Sequence, residues 1–452
     1  MSNYFVDLNY DKSKLAESEQ KVLGKLVDAA KLIGILYSRQ EDNNHPGANF
    51  YPHNASREEI RAAAEEDPAI LSPYTMVKRG EKGNLVAIPY HKMYSEEMEK
   101  IATLLEEAAK ASEDREFAEF LKLRAQSFRD GSWDKSEDKW LEMNGHKIDI
   151  VIGPIEPYLD DLFSIKCAFQ ANIRVTSNDP KFNPQDYLKV IRNLYSSCAG
   201  PSEEERKPVK VRVDDVVALA GWHAKLRPVG SNLPNDPEKV EKYGTKIIIY
   251  TDNIRYREGK ITIGALERVF PKDIVEEHSR ESLLDNAIRG TMLHEITEAI
   301  VKYPGTVNRL GDMYTPVKEL HATIVGLKGC TFHVLKGILT QKDFKELLMI
   351  LISWLFESWL RRESSKGIRA YLRGYMVAFN FFREQDALEV KDGVIKPDFE
   401  ELFLAVDNLA GVLSHLMSEG TQEEAEEFFA KYEDYQVMDQ FTSELSALQQ
   451  EL

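Results

Sequence analysis

The sequence predicts a mainly helical α+β protein, with two lobes around a cleft and a small β-sheet or barrel in the first lobe. Three observations carry this. From about Glu281 to Leu452 nearly every segment has helical periodicity. The middle of the chain holds short alternating segments with strand periodicity. At 452 residues the chain suits two or three domains of ordinary size, or one large two-lobed one. The division is expected as a mixed α/β lobe over residues 1–254 and a helical lobe over 255–452.

Residues 13–39 read as a helix, because Leu15, Val22, Leu23, Leu26, Leu32 and Ile33 recur at helical spacing. The polar stretch 40–56 holds Asn43-Asn-His-Pro-Gly47 and reads as a loop. A short helix covers Glu58–Glu66 and stops near Pro68. Tyr74–Val77 and Leu85–Ile88 read as strands around the Gly80–Gly83 turn. Ser95–Arg129 is rich in Glu, Ala and Lys and reads as helix. Residues 147–153, 172–176, 209–213 and 245–250 are strand-like. A helix at Pro184–Ser196 divides them, with Pro184 suited to a first helical position. Pro201–Lys207 is a charged loop, and Thr421 is a candidate helix cap before an acidic run.

Composition narrows the function classes. Net charge is −17, so the chain would repel a phosphate backbone and nucleic acid is not expected as a partner. A cationic or amine-bearing ligand is easier to accommodate. The three cysteines, Cys167, Cys198 and Cys330, form no CxxC pair, which fits a reducing, cytoplasmic compartment. The first residues have neither the basic nor the apolar region of a signal peptide. The longest apolar run, Leu347–Phe356, is too short to span a membrane and reads as a core helix.

One segment carries chemistry: Thr291-Met-Leu-His-Glu-Ile-Thr-Glu-Ala-Ile300, followed by Lys318-Glu-Leu-His-Ala-Thr-Ile-Val-Gly-Leu327. His294 and Glu298 are four residues apart and share a helix face. Glu295 sits where a His-Glu-x-x-His pattern places its general base. Glu319 follows 25 residues after His294, a plausible spacing for a third ligand on a second helix. Taken alone, His-Glu-x-x-Glu also fits a charged helix face with a buried histidine.

The longer pattern resembles the dipeptidyl peptidase III family of zinc exopeptidases, in particular its shorter bacterial and plant members that carry a nudix label. The resemblance rests on Asn49-Phe-Tyr-Pro52, Ser72–Arg79, Lys147–Tyr158 with Leu162, Phe163 and Lys166, Asn232-Leu-Pro-Asn-Asp236, and Glu319 with Ala322 and Ile324–Leu327. It covers roughly residues 45–435. It implies His294 and Glu319 as metal ligands and Glu295 as general base. It further implies Glu156, Asn232 and Asn235 as holders of a peptide's free amino terminus, and Tyr158 as an oxyanion stabiliser. Without it, Glu156 and Tyr158 read as strand-end structure and the two Asn as turn caps.

The chain departs from the family at the chemistry. Glu298 replaces the second ligand histidine. Lys318 stands where an acidic residue is usual, and His321 where Lys or Arg is usual. A later histidine that aids the transition state falls at Ser365. With Glu298 as second ligand, the site is harder and more anionic, so iron(II) and manganese(II) compete with zinc. If His321 turned inward, a two-His-one-carboxylate set would result. Residues 319 and 321 are about 200° apart on a helix, which opposes this unless the helix starts or breaks there. Three readings follow. The first is a metal-dependent enzyme, by inheritance a hydrolase of short peptides from the N-terminus, or one turned to a small amine-bearing substrate. The second is an inactive pseudo-peptidase that binds peptide N-termini, and the third is a scaffold.

Overall fold

The computed structural model describes residues 4–195, 208–234, 236–363 and 366–451. The chain is mainly helical α+β, as expected, and divides into two compact units. The first comprises residues 1–178 and 214–228, the second 179–213 and 229–452. Chain order and unit membership therefore differ: residues 179–213 leave the first unit and 214–228 return to it.

In the first unit the helix Glu17–Gln40 forms as its spacing predicts and buries Leu23, Leu26, Ile33, Leu36 and Tyr37. The expected single helix over 95–129 is two, Ser95–Ala111 and Arg115–Asp130. The break has a local cause, since Asp114 caps the second helix by accepting from the Phe117 N–H. Strand β1 is Phe5–Asp7, and β2 (Thr75–Arg79) pairs with β3 (Leu85–Pro89) as a hairpin. β4 (Ile148–Glu156) and β5 (Ala168–Thr176) pair antiparallel, with Ile150 opposite Ile173. β6 (Val209–Gly221) is longer than its sequence pattern indicated. From residue 214 onward it lies in this unit, pairing with β5 and with β1.

Two buried polar arrangements fix this sheet. Arg174 on β5 is fully buried between Asp149 Oδ2 at 3.0 Å and Asp214 Oδ2 at 3.1 Å. Removing one member of such a set leaves an uncompensated buried charge, at a cost of about 3–5 kcal/mol. The loop from β4 to β5 winds around Asp160, whose carboxylate accepts from the backbone N–H groups of Leu162, Phe163, Ile165 and Lys166. Lys166 is itself buried and donates to Ile70 O, Ser72 O and Thr75 Oγ1. Lys166, one of the residues carrying the family resemblance, thus holds the loop.

The second unit has one continuous apolar core, from Phe182 and Tyr187 through the helices to Leu448. The helix at Pro184–Tyr195 starts at the proline, as anticipated. β7 (Gly230–Leu233) pairs antiparallel with β8 (Thr245–Tyr250). The long run of consecutive helices begins at Thr251, earlier than residue 281. The all-helical reading beyond 281 also missed a hairpin, β9 (Leu388–Lys391) with β10 (Val394–Pro397). Its two-residue turn, Asp392-Gly393, has φ of +52° and +75°. Asp-Gly with both φ positive is the favoured tight hairpin turn, so the signal was present in the sequence. Thr421 caps its helix in a capping box with Glu424.

The helix Arg280–Ile300 runs through this core, capped by Ser279 and buried on most of its circumference, with polar residues such as Asn286, Arg289 and His294 among the buried ones. It crosses the helix Tyr314–Leu335 closely. A Cβ added at Gly326 would stand 3.1 Å from Leu293 O and 3.1 Å from Thr297 Oγ1. A glycine there lets the two backbones approach, and that approach positions the site.

Candidate metal centre

His294, Glu298 and Glu319 meet between these two helices, and one potential ligand atom from each lies within 4.8 Å of the others. His294 Nε2 is 3.3 Å from Glu319 Oε2 and 3.8 Å from Glu298 Oε2. The His294 Nε2 and Glu319 Oε2 atoms are buried, and neither completes a well-aligned hydrogen bond. Buried polar atoms left this way call for an explanation, and a cation between them is a sufficient one.

The other side of each candidate ligand is held. Thr323 Oγ1 donates to Glu319 O at 3.0 Å, one helical turn back, which commits its only proton. It therefore accepts from His294 Nδ1, 2.9 Å away. The network assigns a proton to Nδ1 and turns Nε2 toward the carboxylates, the way an imidazole is held when its other nitrogen is to bind a metal. Burial lowers the imidazole's proton affinity, but Glu319, Glu295 and Glu298 outweigh it and hold His294 above its ordinary range. Metal binding must then displace the Nε2 proton.

Lys318 completes the arrangement. Its Nζ lies 2.8 Å from Glu298 Oε1 and 2.9 Å from Glu319 Oε1. Each carboxylate is thus divided: Oε1 faces the ammonium and Oε2 faces the imidazole. Burial would raise the Glu319 carboxyl, but His294 and Lys318 hold it well below the usual carboxylate range.

Glu295, half-buried, points elsewhere. Burial pushes its carboxyl up to about 7, against the pull of His294 and Lys318. It lines a cavity of about 120 Å³ with His294, Arg257, Arg361, Tyr371 and Tyr375. β7 passes beside it, since a Cβ added at Gly230 would meet Glu295 Oε1 at 3.3 Å. Glu298 and Lys318 line a different cavity of about 400 Å³ with Tyr303, Tyr314 and His321. His321 falls outside the ligand cluster. The helix Tyr314–Leu335 is continuous through it, so residue 321 faces away from residue 319.

Of the remaining expected residues, Asn232 is on β7 opposite Ile247, in the second unit. Glu156 and Tyr158 belong to the first unit. Glu156 ends β4 just after a bulge at 154–156, a feature that re-aims a side chain. Tyr158 is 65% exposed, with its ring stacked on Trp222 at 6.4 Å. Asn235 and Ser365 lie outside the described residues, as does Cys198. Thr323 and the lining residues Arg257, Arg361, Tyr371 and Tyr375 were not singled out from the sequence. Only Thr323 carried a signal, its four-residue spacing from Glu319. Among the described residues one other cluster of ligand type exists, Asp42, His45 and His53 in the first unit. There the ring nitrogens already meet Asp42 and Asn49 as hydrogen-bond partners.

Comparison with known proteins agrees with the resemblance read from the motifs. DPP III from Caldithrix abyssi superposes with a TM-score of 0.86 at 24% identity, covering 98% of this chain and 94% of that one. Dipeptidyl-peptidase III from Corallococcus sp. strain EGB gives 0.71 at 22% identity, covering 98% and 93%. Nudix hydrolase 3 of Arabidopsis thaliana is 23% identical over 425 residues, 86% of this chain. The chain spans 54% of that relative's length. No helix among the described residues is long and apolar enough to cross a membrane. Residues 6–182 match the sequence profile of Peptidase family M49, and over nearly its whole length the chain has the dipeptidyl peptidase III fold.

Proposed function

We propose that this chain is a metal-dependent hydrolase that releases short fragments from the N-terminus of peptides. The observation that carries the reading is the convergence of His294 Nε2, Glu298 and Glu319 on one point, with Glu295 on the adjoining cavity. The residues suit a divalent ion. One buried imidazole nitrogen and two carboxylate oxygens are free to face it, and three protein donors are the number a catalytic zinc site uses. When bound, such an ion supplies Lewis acidity and lowers the pKa of a bound water. Zinc is the metal proposed, with iron(II) and manganese(II) as the competitors that two carboxylates admit.

The chain's own residues do the rest. Glu295 takes a proton at its carboxylate from the attacking water and returns it to the leaving amine. A carboxyl lifted to about 7 is well matched to both halves of that transfer near neutral pH. Arg257, Arg361 and the tyrosines Tyr371 and Tyr375 line the cavity beside Glu295. In the second unit, Asn232 and Asn235 are proposed to hold the substrate's ammonium. The buried, free Cys167 and Cys330 support a reducing compartment.

The test is Glu295→Gln assayed on a panel of short peptides with free amino termini, alongside metal content by mass spectrometry. Loss of cleavage by at least about 100-fold with metal retained is the expected result. A wild-type protein that binds such peptides but neither takes up metal nor cleaves them would overturn the hydrolase and leave an amine-binding protein.

A further inference from the structure

Two carboxylates in a metal site favour hard cations of high coordination number, because each can bind through both oxygens. Glu298 in place of a histidine should push this site that way. The structure contains an opposing element. Lys318 Nζ holds Oε1 of Glu298 at 2.8 Å and Oε1 of Glu319 at 2.9 Å. Only Oε2 of each carboxylate faces His294 Nε2, at 3.8 and 3.3 Å. The charges also balance. Two carboxylates and one ammonium sum to a single negative charge, the charge of one carboxylate with two neutral imidazoles.

The geometry points to Lys318 as a specificity-determining residue that restricts Glu298 and Glu319 to one ligand oxygen each. It thereby keeps a two-carboxylate site low-coordinate and zinc-selective. Lys318 has no contact with the cavity that Glu295 lines; it faces the other one. Its part is played through the ligands, which makes it a positioning residue. The inference rests on the metal centre proposed above.

Isothermal titration of the metal-free full chain with zinc alone and with manganese(II) alone tests it. Lys318→Met removes a positive charge, which strengthens binding of any divalent ion. That Coulomb gain is common to both metals and cancels in the ratio of their affinities. Freeing two Oε1 atoms benefits manganese(II), which accepts more oxygen ligands, more than four-coordinate zinc. The zinc preference is expected to fall at least about tenfold in Lys318→Met. It should be retained in Lys318→Arg, whose guanidinium can hold both carboxylates. Lys318→Ala, which removes the donor as well as the charge, replaces Met if circular dichroism shows that variant unfolded. A ratio within twofold of wild type in the neutral variant, with zinc still bound, overturns the role of Lys318. Wild-type protein that binds neither metal overturns the metal centre itself.

Discussion

Thr323→Val removes one oxygen and leaves the shape of the side chain nearly unchanged, so its effect reports the hydrogen bonds of that hydroxyl, of which the one to His294 touches the metal centre. In the native site the hydroxyl receives the Nδ1 proton at 2.9 Å and passes its own to Glu319 O at 3.0 Å. With valine, Nδ1–H has no acceptor in a buried position, a loss of about 1–3 kcal/mol if nothing adjusts. The metal-free protein has an escape. Dropping the Nδ1 proton and keeping Nε2–H toward Glu319 Oε2, 3.3 Å away, removes the unsatisfied donor. Folding stability is therefore expected to change little. The cost reappears when a metal competes for Nε2, since that proton must leave and Nδ1 must be reprotonated without a partner. Zinc affinity should fall about 10–100-fold, the usual consequence of losing the hydrogen-bond partner that orients a metal-binding histidine. A competition titration against a chromophoric chelator measures it, with thermal unfolding as the control. Thr323→Ser keeps the hydroxyl and should bind like wild type. Equal losses in Val and Ser, or undiminished affinity in Val, would refute the assignment of the proton to Nδ1.

Two predictions concern the fold. Arg174→Met leaves Asp149 and Asp214 buried without their cation, and the urea midpoint should report a loss of about 3–5 kcal/mol. A loss under about 1 kcal/mol would mean that the carboxylates find other partners. His223 and His333 are neutral in the fold, their pKa values pulled down by burial to about 3 and about 4. The unfolded chain takes up these protons from about pH 6.5 downward. Their stability contribution is thus full above that pH and is lost as pH falls toward the folded values, by up to about 1.4 kcal/mol per unit for each histidine. His333→Gln should reduce the drop in stability between pH 7 and 4.5. An equal drop in variant and wild type would show that His333 is not the titrating group.

Much of the site was legible because its parts are local. His294, Glu295 and Glu298 lie within two helical turns, and their spacing decides which share a face whatever surrounds them. The same geometry told against His321, and the helix Tyr314–Leu335 is unbroken at that position. The short Asp-Gly hairpin at 392–393 was equally local and was missed because it lies between strongly helical segments.

Other features had no local signature. Lys318 appeared in the sequence only as a departure from a pattern. That its ammonium joins Glu298 on one helix to Glu319 on another depends on two helices crossing at Gly326. The burial that lifts Glu295 is likewise a sum over elements distant in the chain. Unit membership follows the same rule, because the return of residues 214–228 to the first unit is set by pairing with β5.

The sequence by itself determined the mainly helical class, the helix faces and the residue types available to a metal. Periodicity and side-chain chemistry are properties of a short stretch of chain. Tertiary structure alone decided which oxygen of each carboxylate is free, which imidazole nitrogen carries the proton, and what neutralises the extra charge of Glu298. Those are distances between atoms on separate helices, and only packing sets them.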